Sequence, residues 1–540
     1  MPSSNLTPEP GVDPLAPLVQ LAHWLLSTTI HVALGLSIGM IAARLMRSRH
    51  LHWSWAAAVA ALAVLLRPKF TGPTSTVAIA ALAATMWGRR WHREDVEAGS
   101  DLAQIAARRL GPLDLLGSWI RGAVHRRGEI LGVAARRRGG ELSLGQDESN
   151  RPVSIPFGGA GGGTHTLVVG ATGSGKTVTQ TWIAVRAIER GMGAVVVDPK
   201  GDPGMRRALS AAARSADRAF IEWTPGGPSV YNPYARGSET EIADKALAGE
   251  RFTEPHYLRQ AQRYLGHVVR AMRNAGLEVS LGGIVHHMDP ARLECLARSL
   301  PEGESEATHA YLDSLTGRQG GDLAGVRDRL AILSESDVGP WLDPQTPDAE
   351  RFDLLQAVRA RAVVYFNLES DSRPLLTQML GAAIVQDLQT TVAALQGRPM
   401  PTLVVIDEFS AIAAEQVVRL FGRARSAGFS LLLGTQELSD LRLPGRERML
   451  EQVMGNLSVL IAHRQVVPES AELIASLAGT KGAWRVSRSS DGRMTRTRTR
   501  EGLLDSNEVV SLGVGWAAVI VLADRAGARF ARVFSAGRDR

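Results

Sequence analysis

Lysine is nearly missing from this chain. Of 61 basic side chains only five are lysines, Lys69, Lys176, Lys200, Lys245 and Lys481. Arginine therefore carries the net charge of +7, and a sequence pI near 9.9 favours anionic partners such as nucleic acid or lipid headgroups. The one cysteine, Cys295, excludes an intramolecular disulfide and with it any disulfide-stapled fold. Positive charge is absent at the start: residues 1–16 hold Glu9 and Asp13 but no Lys or Arg, which excludes the basic leader of a signal peptide. Formal charge is absent altogether over the 26 residues from Leu18 to Ala43, long enough to cross a bilayer with some tilt. At 540 residues, 45% of them hydrophobic, the chain has material for a large core and exceeds one ordinary domain.

Charge beyond Ala43 sets an expected topology. The basic cluster Arg44, Arg47 and Arg49 marks a cytoplasmic flank, as does Arg89-Arg90-Trp91-His92-Arg93. Between them lie two shorter apolar runs, Trp53–Leu66 and Thr71–Trp87, parted by Arg67-Pro68-Lys69-Phe70. Both basic clusters lie inside when the chain crosses an even number of times between them. The simplest expectation is three spans over 17–88 with residues 1–16 as an extracytoplasmic tail; one span plus a re-entrant apolar hairpin is the alternative. Residues 89–139, with eleven arginines against six acids, then form a basic juxtamembrane linker, either lying on anionic lipid headgroups or solvated.

From Glu141 the texture changes to short β-type runs, Glu141–Leu144 and Pro152–Phe157. Buried-strand runs come next at Thr166–Val169, Ala194–Val197, Ala362–Leu368, Leu403–Ile406, Leu431–Leu433 and Val459–Ala462. Helical patterns separate them, as parallel α/β architecture requires. Residues 236–349 break this alternation: the pattern there is helical, clearest over Glu254–Asn274 and after Asp289-Pro290, which reads as an N-cap followed by proline at the first helical position. The expected fold is therefore α/β, a P-loop motor over 140–235 and 350–540 with a mostly parallel sheet, an inserted all-α domain over 236–349, and an N-terminal helical membrane anchor.

The chemistry is concentrated in a few stretches. Gly170-Ala171-Thr172-Gly173-Ser174-Gly175-Lys176-Thr177 fits G-x-x-x-x-G-K-[ST] between a strand and a helix. Glycines let successive backbone N–H groups point at one phosphate, Lys176 reaches the β- and γ-phosphates of ATP, and the Thr177 hydroxyl ligates Mg²⁺. Leu403-Val404-Val405-Ile406-Asp407-Glu408 is an apolar strand ending in two carboxylates: Asp407 for the metal, Glu408 to polarise the attacking water. Asp198-Pro199-Lys200-Gly201-Asp202 ends the strand after the P-loop helix; Asp198 and Lys200 either orient phosphate and metal or form a plain turn. Gln436, after Leu433-Gly434-Thr435, either senses the γ-phosphate or lies in a surface loop. In Thr495-Arg496-Thr497-Arg498-Thr499-Arg500 a strand would project three arginines from one face, a phosphate-tracking stripe or a charged edge.

In this order, these stretches resemble the coupling proteins of conjugation and type IV secretion, the TraD/TraG-type ATPases of the HerA–FtsK group. The resemblance runs over 141–540 and includes His165 through Thr177, Asp198-Pro199-Lys200-Gly201-Asp202, Tyr231-Asn232-Pro233, Asp407-Glu408-Phe409, Arg425-Ser426-Ala427-Gly428-Phe429, Gly434-Thr435-Gln436, and Gly455-Asn456-Leu457 with Arg464. It implies a RecA-like fold and a homohexameric inner-membrane ATPase with its motor in the cytoplasm. Its partners would be single-stranded DNA, a relaxase or other secreted protein, and type IV secretion channel components. It also implies that Arg425 stands where related ring ATPases place an arginine finger for the neighbouring subunit. This sequence departs from the usual pattern in two ways. Its charges argue for three spans rather than two, and no long substrate-recognition tail follows the motor. A nucleotide-gated docking receptor for protein cargo and a HerA/FtsK-like chromosomal DNA translocase are the alternatives.

Overall fold

The computed structural model describes residues 15–49, 51–66, 72–97, 140–158, 163–250, 252, 254–347, 349–412, 414–442, 448–488, 494–522 and 527–536. Residues 1–14 of the expected extracytoplasmic tail and residues 98–139 of the basic linker lie outside these. The chain forms two compact units, Met1–Ala135 with Lys481–Glu501, and Arg136–Thr480 with Gly502–Arg540.

The first unit holds helices Ala16–Ser48, Ser54–Leu66 and Gly72–Glu97. Among the described residues one segment, Pro17–Ser48, is long and apolar enough to cross a membrane. The expectation of three full spans is thus not supported: one helix of that kind is found among the described residues. The physical reason is length and charge. Helix Ser54–Leu66 has 13 residues and rises about 20 Å, against a hydrocarbon core of about 30 Å. The last third of Gly72–Glu97 carries Arg89, Arg90, Arg93, Glu94, Asp95 and Glu97. This third helix packs along the first, where His31 Nδ1 and Thr76 Oγ1 lie 2.9 Å apart. The same unit holds most of a two-stranded sheet, Thr480–Arg488 with Met494–Gly502, on which Arg498 and Arg500 are exposed.

The second unit is built on an eleven-stranded sheet. Its strands are β1 (Glu141–Gln146), β2 (Pro152–Pro156), β3 (His165–Val169), β4 (Gly193–Asp198), β5 (Phe220–Trp223), β8 (Val363–Asn367), β9 (Thr402–Ile406), β10 (Phe429–Thr435), β11 (Val459–Ala462), β14 (Trp516–Val521) and β15 (Ala528–Val533). A short ribbon, β6 (Ser229–Tyr231) with β7 (Glu350–Phe352), stands apart; β12 and β13 are the hairpin strands already given. The order is β2-β1-β15-β14-β11-β3-β10-β9-β4-β8-β5. From β11 to β5 every pairing is parallel; from β11 to β2 every pairing is antiparallel. Every residue of β3, β4, β9 and β10 is buried. Both faces are covered, which is why these strands read as unbroken apolar runs rather than alternating ones. Parallel β3, β4, β9 and β10 also end at one edge of the sheet, so the P-loop, the Asp198 turn, Asp407-Glu408 and Gln436 are delivered to the same place.

Between β6 and β7 the regular elements are helical, apart from one short 3-10 turn: Glu239–Leu247, Pro255–Asn274, Leu281–His287, Pro290–Ala297, Glu302–Asp313 and Gly317–Ser334. Local chemistry starts them: Ser238 and Glu241 form a reciprocal capping box, and Asp289 accepts from the N–H groups of Ala291 and Arg292. Pairing of Ser229 with Glu350 and Tyr231 with Phe352 brings the two ends of this helical stretch side by side.

One buried ion pair pins it to the core. Lys245, on the first of these helices, donates through Nζ to Asp387 Oδ1 at 2.6 Å, Arg236 O at 2.7 Å and Pro233 O at 2.9 Å. Tyr231 donates its hydroxyl to Asp387 Oδ2 at 2.7 Å. Burial raises the Asp387 carboxyl above its usual value in spite of the lysine. All three ammonium protons are used, so removing one partner strands a charge in the interior, at a cost of about 3–5 kcal/mol. Lys245→Met should lower the thermal midpoint of the full chain in detergent by several degrees. Lys245→Met with Asp387→Leu should recover most of that loss. An unchanged midpoint for the single variant would show that the pair does not pin the helical stretch.

Candidate functional site

The loop after β3 turns on two glycines in the left-handed region, Gly173 (φ +76°) and Gly175 (φ +111°). Such angles strain any residue with a Cβ. Gly175 is the N-cap of helix Lys176–Glu189 and supplies no side chain, so the first N–H groups of the helix are left for a ligand. Uncapped N–H groups at a helix N-terminus can hold an anion. Lys176 is 7% exposed, and its ammonium turns towards the carboxylates at the end of β9.

There Asp407 is fixed first. Its N–H donates to Val197 O at 3.1 Å, and Gln180 Nε2 donates to its Oδ1 at 3.2 Å. Gly434 keeps this contact open, because a Cβ there would lie 2.3 Å from both Asp407 Oδ1 and Gln180 Nε2. Glu408 comes next, with φ +47°. A non-glycine residue in that region stores roughly 1–3 kcal/mol of strain and is a recurrent mark of functional sites. Its Oε1 accepts from Lys176 Nζ at 2.7 Å, Lys200 Nζ at 3.2 Å and Gln436 Nε2 at 3.2 Å. Lys176 Nζ also lies 3.7 Å from Asp407 Oδ1.

The two carboxyls are driven apart in pKa. Burial pushes Asp407 up, reinforced by the charges of Glu408 and Asp198 and only partly opposed by Lys176. Burial pushes Glu408 up too, but hydrogen bonds and charge from Lys176 and Lys200 outweigh it and hold the carboxyl below its usual value. Glu408 is therefore ionised at neutral pH, with its basicity damped by the two lysines.

Asp198 serves this cluster indirectly. Its Oδ1 accepts from the N–H groups of Lys200 and Gly201, both at 3.0 Å. Its Oδ2 accepts from the Asp202 N–H at 2.7 Å and the Tyr365 hydroxyl at 2.6 Å. Both oxygens are occupied by its own turn and by β8, so Asp198 shapes the loop that aims Lys200. Thr177 is half-buried, and its hydroxyl makes no hydrogen bond among the described residues. Ala171 donates its N–H to Arg464 O at 3.0 Å, and Thr172 is exposed.

Arg425 is not part of the cluster. It precedes β10, whose far end carries Thr435 and Gln436, so it stands at the opposite edge of the sheet. Its exposed guanidinium donates through one nitrogen to Asn456 O at 3.0 Å and Ser458 Oγ at 3.1 Å. Asn456 ends helix Met449–Asn456, so one local effect of Arg425 is to cap that C-terminus. Sequence reasoning missed Gln180 and Tyr365. Gln180 had a signal: it lies four residues after Lys176, on the same face of the same helix. Tyr365 lies within an apolar run, and only strand pairing brings it beside the Asp198 turn.

Known proteins share this arrangement of elements. Residues 401–512 match the family model described as the TraM recognition site of TraD and TraG. The chain is 22% identical over 354 residues to the type 4 coupling protein DotL of Legionella pneumophila, covering 53% of this chain and 45% of DotL. It thus spans about half the length of that relative. A segment of 101 residues is 31% identical to an uncharacterised protein of Mycoplasma pneumoniae, covering 18% of this chain and 67% of that one. Among solved structures, the bacterial conjugative coupling protein TrwBdeltaN70 superposes with a TM-score of 0.57 at 18% identity, covering 76% of this chain and 93% of that one. TrwB in complex with ADP and Mg²⁺ gives 0.54 at 19% identity, over 69% and 85% of the two chains. The fold is RecA-like, and the chain is similar to the TraD/TraG-type coupling proteins, in sequence over residues 401–512 and in fold.

Proposed function

We propose that this chain is a membrane-anchored, ATP-hydrolysing coupling protein that delivers single-stranded DNA, or a DNA–protein substrate, to a type IV secretion or conjugation channel. One observation carries the reading: Lys176 of the phosphate loop, Asp407 and Glu408 converge at one sheet edge, with Lys176 Nζ 2.7 Å from Glu408 Oε1. An uncapped helix N-terminus, a lysine and two carboxylates of opposed pKa form the donor set that a Mg²⁺-nucleoside triphosphate needs. That TrwB is solved with ADP and Mg²⁺ supports ATP and Mg²⁺ as the ligands here.

In this reading the N–H groups of Gly173, Ser174, Gly175 and Lys176 hold the phosphates, with Ala171 and Thr172 shaping the turn out of Gly170. Thr177 and Asp407 would hold the metal, which would neutralise phosphate charge. Lys176 exchanges Glu408 for a phosphate oxygen. Glu408, relieved of one of its three donors, becomes the stronger base and orients water, while Gln436 and Lys200 remain as its partners and report on the γ-phosphate. Arg425, exposed and anchored by one nitrogen, acts in trans within a homohexamer. Single-stranded DNA, a relaxase or other secreted protein, and the channel components are the partners. Arg498 and Arg500 on the exposed hairpin are available for DNA phosphates. The anchor, helix Pro17–Ser48, sits in the bacterial inner membrane with the motor in the cytoplasm.

Phosphate release by the full chain in detergent should rise when single-stranded DNA is added. Lys176→Ala should weaken ATP binding by about a hundredfold, the equivalent of ~2.7 kcal/mol. Glu408→Gln should keep ATP binding yet slow hydrolysis by roughly 10²–10⁴-fold, because only the base is lost. Equal loss of binding in both variants would overturn the role of Glu408, and a rate indifferent to DNA would favour the protein-docking receptor.

Topology has its own test. A reporter active only in the cytoplasm should be on when fused after Arg93 and silent at the N-terminus. Activity at both positions would establish an even number of crossings and refute an outside N-terminus with an inside motor.

A further inference from the structure

We propose that His463 is a positioning residue of the nucleotide site, which through Thr179 ties the P-loop helix to the C-terminal strand pair and so holds the loop in its phosphate-binding shape. The inference rests on the reading that this loop binds a nucleotide. His463 follows β11, is fully buried, and touches neither Asp407 nor Glu408. Its N–H donates to Val169 O at 2.8 Å, at the last residue before the loop.

The ring has one consistent tautomer. Nδ1 lies 3.0 Å from the carbonyl oxygen of Trp516, which can only accept, so Nδ1 carries the proton. Nε2 of the neutral ring is then an acceptor, and the Thr179 hydroxyl, 2.8 Å away, donates to it. Burial, aided by the charge of Lys176, holds the ring down at about 4, so this arrangement persists at neutral pH.

Thr179 is itself fully buried and donates its N–H to Gly175 O at 3.1 Å, one turn into the P-loop helix. The imidazole also fills the space behind the loop. A Cβ at Gly170 would lie 2.6 Å from His463 Cβ, and one at Gly175 would lie 3.3 Å from Gly515 Cα. Gly515 donates its N–H to Ser174 O at 3.0 Å, and Arg464 O accepts from Ala171 at 3.0 Å. The loop is thus held from behind at Ala171, Ser174 and Thr179, and the last of these runs through the imidazole. An apolar side chain at 463 would leave the buried Thr179 hydroxyl and the part-buried Trp516 carbonyl without the bridge between them.

The test is the dissociation constant of a fluorescent ATP analogue with Mg²⁺, measured on the full chain in detergent beside its thermal midpoint. Thr179→Val, which removes the hydroxyl at nearly constant volume, should weaken binding roughly tenfold. Thr179→Ser, which keeps the donor, should stay within about twofold of the unaltered chain. His463→Gln, whose amide oxygen can take the Thr179 proton, should bind more tightly than His463→Leu. Adding Thr179→Val to His463→Leu should cost nothing further, because both break one bridge. Should His463→Leu not fold, the Val and Ser variants at 179 decide the matter alone. A lowered midpoint with unchanged affinity in Thr179→Val would overturn the proposal and leave His463 a packing residue. No binding by the unaltered chain would remove the nucleotide reading and this inference together; binding by the unaltered chain with no change in any variant would remove this inference alone.

Discussion

The carboxylate oxygen Oε1 of Glu408 accepts three donors at once, from Lys176, Lys200 and Gln436. Each donor comes from a different strand end: the P-loop after β3, the turn after β4, and the segment after β10. The arrangement is sensitive because two full positive charges and an amide share one oxygen in a largely buried place. Whatever draws one donor away changes the basicity of the carboxylate and the balance on the other two. In the proposed mechanism a phosphate in the loop would compete directly for Lys176, so that occupancy and readiness for chemistry would be linked through a single atom. The strained backbone of Glu408, at φ +47°, fits the same picture, since side-chain contacts on all sides hold it where its own conformational preference would not.

Architecture supplies the convergence. Parallel β-strands with crossovers end at one edge, and the order β11-β3-β10-β9-β4 sets the phosphate loop beside the strand of Gln436 and that strand beside the carboxylates. Antiparallel β14 and β15 then extend the sheet, and the turn before β14 returns to the loop through the Gly515–Ser174 hydrogen bond. The helical stretch between β6 and β7 leaves and re-enters at one paired ribbon and is tied down by Lys245 and Asp387. It can carry contacts of its own without perturbing the strand ends.

Much of this was legible in the sequence where chemistry is local. The P-loop spacing, the apolar strand before Asp407-Glu408 and the caps at Ser238 and Asp289 are each set by neighbours in the chain. Long-range partners were not. That Asp198 would give its oxygens to its own turn and to Tyr365, rather than to a phosphate or metal, depends on β4 pairing with β8. The partnership of Lys200 with Glu408 depends on β4 lying beside β9. Arg425, placed by resemblance as a finger for a neighbouring subunit, lies within its own subunit at the opposite sheet edge, because the intervening helix returns the chain there before β10 begins. Three spans are not supported because apolar runs of 14 and 17 residues give hydropathy without length; among the described residues one helix has both.

In the proposed mechanism Lys176 and Glu408 hold each other until a nucleotide separates them. A structure of the chain with a non-hydrolysable ATP analogue and Mg²⁺ tests it most directly. The account predicts that Lys176 Nζ moves from Glu408 Oε1 to a phosphate oxygen while Lys200 and Gln436 keep their contacts. An intact Lys176–Glu408 bond at its present 2.7 Å, with the analogue bound in the loop, would contradict it.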